Sequence, residues 1–162
     1  LAIASLRSQV EAGASAIQLF DSWAGALAPA HYERYVAPAS RKVFDGVCDL
    51  NVPLIHFGVH TGELLGAMAD VGADMVGVDW RTPLDVARTR VPDRVALQGN
   101  LDPAVVIAGW EPTREAAADV LRRNAGHLGH VFNLGHGVIP ETDPGVLEQL
   151  VAWVHEQSMG PG

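Results

Sequence analysis

The chain has 162 residues, 48% of them hydrophobic, enough to bury a sizeable core in one domain. Its formal net charge of −8 argues against nucleic acid or a membrane surface as partner, since either calls for a basic stripe. No apolar run approaches the roughly 18–20 residues of a membrane span.

In chain order, Leu1, Leu6 and Val10, closed by Gly13, predict a first helix. Arg7 lies within that pattern, which has neither the basic leader nor the cleavage site of a signal peptide. The chain begins without methionine inside this helix, which reads as a truncated start. Ala16–Phe20 follows as a strand. A helical region spans about 30–48 and divides in two, because Pro38 cannot donate an interior hydrogen bond. Cys48, late in that region, is expected to be a buried small hydrophobe. As the single cysteine it excludes an internal disulfide framework and fits a reducing, cytoplasmic setting. Pro53–Phe57 is the second strand, and a helix then runs from near Thr61 to a stop at Gly72. Met75–Trp80, Val95–Gln98 and His130–Leu134 complete five strand candidates.

Thr82-Pro83, Asp102-Pro103 and Asp143-Pro144 each pair a capping side chain with proline at the first helical position. A longer helix is expected over 114–125, after Thr113 and before Gly126. The last spans about 144–155, with Leu147, Leu150, Val151 and Val154 on one face. Residues 158–162 read as a polar tail. Domain organisation is thus one domain over 1–157 plus that tail.

Strands alternating with helices imply parallel pairing, and the nearly continuous apolar strands fit a sheet buried on both faces. An open doubly wound sheet and a section of a barrel both satisfy this. With no GxGxxG or Walker loop after any strand, the pattern favours the barrel.

In such folds the functional loops leave the C-terminal ends of the strands. Here those positions hold Asp21-Ser22-Trp23-Ala24-Gly25, His56-Phe57-Gly58, Asp79-Trp80-Arg81, Gln98-Gly99-Asn100-Leu101-Asp102 and Asn133-Leu134-Gly135-His136-Gly137. Five polar exits in succession suggest a shared polar mouth. His136, between two glycines, can pair with a carboxylate near neutral pH or cap a local turn. Asp79 points into the mouth or pairs with Arg81; Asp102 most simply caps its helix. Trp23 and Trp80 either wall a pocket or pack on neighbouring helices. His56, His60 and Glu63 invite a metal reading, but their spacing crosses from strand to loop and lacks a further ligand, so no metal site is expected.

Taken together, Phe20-Asp21-Ser22-Trp23-Ala24-Gly25, Val76-Gly77-Val78-Asp79-Trp80, Leu97-Gln98-Gly99-Asn100-Leu101-Asp102-Pro103 and Asn133-Leu134-Gly135-His136-Gly137-Val138-Ile139-Pro140 resemble, in order and separation, the uroporphyrinogen decarboxylase family. The resemblance covers essentially the whole chain. It implies a (β/α)8 TIM barrel, here a C-terminal section of about five strands, and a homodimer in the full-length form. It implies conversion of uroporphyrinogen III to coproporphyrinogen III by loss of four acetate carboxyl groups, with no metal or organic cofactor. A protonated pyrrole would act as the electron sink for departing CO2, so the protein's part is electrostatic positioning.

By the same resemblance, Ser22 and His136 are substrate-binding positions. The family's Arg-Gln-Ala-Gly-Arg motif, its pyrrole-facing aspartate and a binding tyrosine belong to an N-terminal part, so the catalytic residue is unknown here and the chain alone is expected to be inactive. Asp21, Asp79 and Asp102 are not substitutes for that aspartate. A zinc-dependent corrinoid methyltransferase of the same superfamily is one alternative, though Gly58 stands where its cysteine would be wanted. A non-catalytic tetrapyrrole-binding or association fragment is another.

Overall fold

The computed structural model of the chain describes residues 1–158. Five strands, β1 (Ile17–Asp21), β2 (Leu54–Gly58), β3 (Met75–Gly77), β4 (Ala96–Gln98) and β5 (His130–Val131), form one parallel sheet in the order β1-β2-β3-β4-β5. The eight α-helices among the described residues are α1 (Ala2–Glu11), α2 (Pro29–Tyr35), α3 (Ala37–Asp45), α4 (Leu65–Asp70), α5 (Leu84–Arg88), α6 (Pro103–Ile107), α7 (Trp110–Asn124) and α8 (Pro144–Ser158).

Strand order and burial together separate the two candidate architectures. A doubly wound sheet reverses direction at a switch point and carries helices on both faces; this sheet winds one way throughout. One face is packed: Ile17, Leu54, His56, Val76 and Leu97 are buried. Of the alternate positions, Phe57 and Gly77 are buried, whereas Gln18, Phe20, Ile55, Ala96, Gln98 and Val131 are half-buried or exposed. A singly wound sheet with helices outside and an open inner face is the arrangement of a section of a (β/α)8 barrel. On that inner face the Phe57 ring lies over Gly77, where an added Cβ would come within 2.6 Å of it.

The core fills the space between the sheet and its helices. Leu65, Met68, Val76, Leu97 and Leu101 anchor the larger cluster, and Ile17, Phe44, Val47 and Leu54 the smaller one. At the expected break near Pro38, α2 and α3 separate at Val36. Asp102 caps α6 by accepting the Ala104 N–H at 2.8 Å, and Asp143 accepts the Gly145 N–H at 2.8 Å where α8 begins. Gly72 takes φ +108 just past α4, as a helix stop requires.

Other expectations are corrected. Thr82 is buried and makes no cap bond; the residue ahead of α5 is Pro83. The long helix starts at Trp110, because Pro112 sits in the first turn, where a missing N–H costs nothing. Thr113 is therefore inside the helix, its hydroxyl donating to the Gly109 carbonyl at 2.7 Å. Cys48 is exposed in a 3-10 turn, not buried. On α8, Leu150 and Val154 are buried while Val151 is 55% exposed. That helix extends to Ser158, and residues 159–162 of the expected tail lie outside the described residues. Among the described residues no helix is long and apolar enough to cross a membrane.

Candidate active site

The strand exits do converge, and a buried carboxylate organises them. Asp79, 2% exposed, stands just past β3. Its Oδ1 accepts the Arg81 N–H at 3.1 Å, closing a local turn that ends the extended run short of Trp80. Its Oδ2 accepts the His60 N–H at 2.6 Å, so the loop after β2 is fastened to the loop after β3. Arg81 completes the cluster with an ion pair to Oδ2 at 3.2 Å, its guanidinium stacked over the Trp80 ring at 3.8 Å. Asn100, also buried, ties in the exit of β4: its Nδ2 donates to the Asp79 carbonyl at 2.9 Å and to the Thr82 carbonyl at 2.6 Å. Both oxygens of the Asp79 carboxylate and the Asn100 amide nitrogen thus have partners despite burial.

The last exit packs onto that frame. A Cβ on Gly135 would lie 2.4 Å from the Trp80 backbone nitrogen, so glycine is required there for close approach. Gly137 has open space around it, and neither glycine has a positive φ. His136 is set between the Trp80 ring, edge-on at 6.2 Å, and the Phe57 ring, tilted at 6.4 Å. Its imidazole makes no hydrogen bond to another described residue, which leaves its nitrogens available to a ligand. The first exit is equally tight: a Cβ on Gly25 would sit 2.2 Å from the Val59 carbonyl and 2.6 Å from the His60 Cβ. The result is a cavity of about 520 Å³ lined by Ser22, Trp23, Val59, His60 and His136. Ser22 and His136, from the first and last exits, share it.

The chain matches the family model described as uroporphyrinogen decarboxylase over residues 1–157. A uroporphyrinogen decarboxylase of Streptomyces coelicolor is 61% identical over 155 residues, covering 96% of this chain and 44% of the relative. One from Salinispora tropica is 57% identical over 159 residues, covering 98% of this chain and 43% of the relative. The chain belongs to the uroporphyrinogen decarboxylase family. It spans less than half the length of these curated relatives. An archaeal fructose-1,6-bisphosphate aldolase structure superimposes with a TM-score of 0.52 at 16% identity, covering 78% of this chain and 53% of that one, which is a likeness of fold alone.

Within the family's ordered motifs the structure divides the residues between mouth and scaffold. Trp23 is 85% exposed on the cavity wall, whereas Trp80 serves as a platform for Arg81 and His136. Gln98 donates to Gln18 at 3.1 Å across the inner face. Asn133 lines a separate groove beside Leu150 and Val154 of α8.

His56 is not at the mouth. It is fully buried on the helix side of β2, against Phe44, with Nδ1 donating to the Met68 carbonyl at 3.2 Å. Burial holds its pKa below the ordinary histidine range, against the opposing effects of the Met68 bond and the Asp21 charge. His60, by contrast, lines the cavity, so the two histidines do not share a site. His130 is structural, its Nε2 donating to the Gly99 carbonyl at 2.6 Å, and burial lowers its pKa as well. Tyr32, deep in the helix layer, is pushed up to about 12, chiefly by burial. The pairing of Asp79 with Arg81, one of the two expectations for Asp79, is present. The Asp79 bond to the His60 N–H, Asn100 as a clamp and His60 on the cavity wall have no signal in the local sequence pattern.

Proposed function

We propose that this chain supplies the carboxylate-binding C-terminal section of a uroporphyrinogen decarboxylase, which converts uroporphyrinogen III to coproporphyrinogen III. The observation that carries the reading is the shared cavity, in which Ser22 and His136 make no side-chain hydrogen bond to another described residue, at positions matching the family's binding residues. The Ser22 hydroxyl and the His136 imidazole donate hydrogen bonds to substrate carboxylates. The Trp80 and Phe57 rings hold the imidazole in place, and Asp79 and Asn100 keep the loops in register before substrate arrives.

The chemistry divides between this section and the rest of a full-length parent. No Arg-Gln-Ala-Gly-Arg run occurs in residues 1–162. An octacarboxylate entering a protein of net charge −8 needs such cations, and the pyrrole protonated during CO2 loss needs a carboxylate facing it. Asp79 is committed to His60 and Arg81 and cannot serve that purpose. The parent therefore carries out the reaction and this section orients the substrate.

The test is His136→Ala in the full-length parent, assayed for coproporphyrinogen. Loss of one charge-assisted hydrogen bond predicts a fall in kcat/KM corresponding to about 1.5–3 kcal/mol, with the fold intact. Unchanged kinetics would remove His136 from the substrate site.

A further inference from the structure

We propose that His60 is a third substrate-contacting residue of this cavity, binding a carboxylate alongside Ser22 and His136, and that Asp79 and Gly25 are its positioning residues. The proposal rests on the reading of the mouth as an octacarboxylate site and names a contact outside the motifs that suggested it.

Three independent features converge on His60. Its backbone takes φ +60, a left-handed conformation that disfavours a residue with a Cβ. Histidine is among the side chains that enter this region more readily than most, so what singles the residue out is how the two neighbouring loops hold it. That conformation is held from below by the His60 N–H bond to the buried Asp79 carboxylate at 2.6 Å. It is held from the side by the loop after β1, which approaches so closely that Gly25 could not bear a Cβ without meeting the His60 Cβ at 2.6 Å. Two loops are therefore built around one exposed imidazole.

What the imidazole faces is the cavity it lines with Ser22 and His136. Its ring nitrogens have no hydrogen-bond partner among the described residues, and the one anion beside its backbone, Asp79, is already engaged by Arg81. A neutral ring donates one hydrogen bond to a carboxylate, and a protonated ring adds charge. In a mouth where the described chain contributes few cations, such a donor has a clear use. A ligand with several carboxylates can engage His60 and His136 at once, from the second and fifth strand exits.

His60→Gly is the informative variant, because glycine accepts φ +60 without strain and leaves the N–H bond to Asp79 in place. In the full-length parent it should keep or raise Tm, raise KM for uroporphyrinogen III about tenfold, and change kcat less than about twofold. A KM within twofold of the unmodified protein overturns the proposal. A second readout is independent of turnover: binding of uroporphyrin, the oxidised octacarboxylate, followed by quenching of tryptophan fluorescence, with its octamethyl ester as control. Uroporphyrin should bind about tenfold more weakly to His60→Gly, and the ester should bind both proteins alike. Equal uroporphyrin affinities, or no binding at all, overturn the proposal. A parent that binds uroporphyrin through His60 but forms no coproporphyrinogen would support the contact and refute the decarboxylase reading.

Discussion

His56 and Phe57 are neighbours on one strand and belong to different regions of the molecule. His56 faces the helix layer and is fully buried; Phe57 faces inward, toward Phe20 and His136. Every strand repeats this division. The outer face is a finished core, in which even a histidine is enclosed. The inner face ends in Gln18, Phe20 (64% exposed) and Val131, and leads up to the cavity. The packed core thus lies on one face and the cavity at the rim of the other, in keeping with the partition of a (β/α)8 barrel.

Substitutions on the two faces break that comparison most directly. Leu97→Ala on the outer face should cost about 2–5 kcal/mol, because Leu97 is 1% exposed and its removal leaves a cavity. Phe20→Ala on the inner face of this chain should stay within about 0.5 kcal/mol. Denaturant melts of the two variants check the pair, and comparable losses would mean that the inner face is also packed.

A subtler test uses His56. Burial lowers its pKa in the fold, so the unfolded chain takes up the proton first as pH falls. The stability contributed by the neutral ring is full above the unfolded value of 6.5 and is lost as pH drops below it toward the folded pKa. His56→Leu should flatten the fall in stability between about pH 7.5 and 5, with His130 leaving a residual slope of the same sign. An unaltered slope would show that His56 does not titrate with unfolding.

Much of this was legible in the sequence, for reasons that differ by residue. Asp102 and Asp143 announce their caps because a short acceptor before proline has few other uses, and Gly72 marks its stop because φ +108 suits little else. Pro38 splits its helix for the same local reason. Thr82 and Thr113 mislead because their hydroxyls are satisfied or enclosed by neighbours that a local pattern does not reveal. His56 was misplaced because two-residue alternation fixes which residues share a face, but not which face the helices will cover. At the site, Ser22 and His136 stood out through ordered motifs. The Asp79 bond to His60 joins residues 19 apart in sequence and depends on how two loops meet in space.

The proposed function assigns this chain the positioning part of a decarboxylase site and the remaining groups to the rest of a full-length parent. Its most direct measurement is anaerobic incubation of residues 1–162 and of that parent, separately, with uroporphyrinogen III, following coproporphyrinogen by chromatography. The account predicts product from the parent without added metal or coenzyme, and none from residues 1–162. Robust turnover by residues 1–162 alone, or a parent that works only with zinc and a corrinoid, would contradict it.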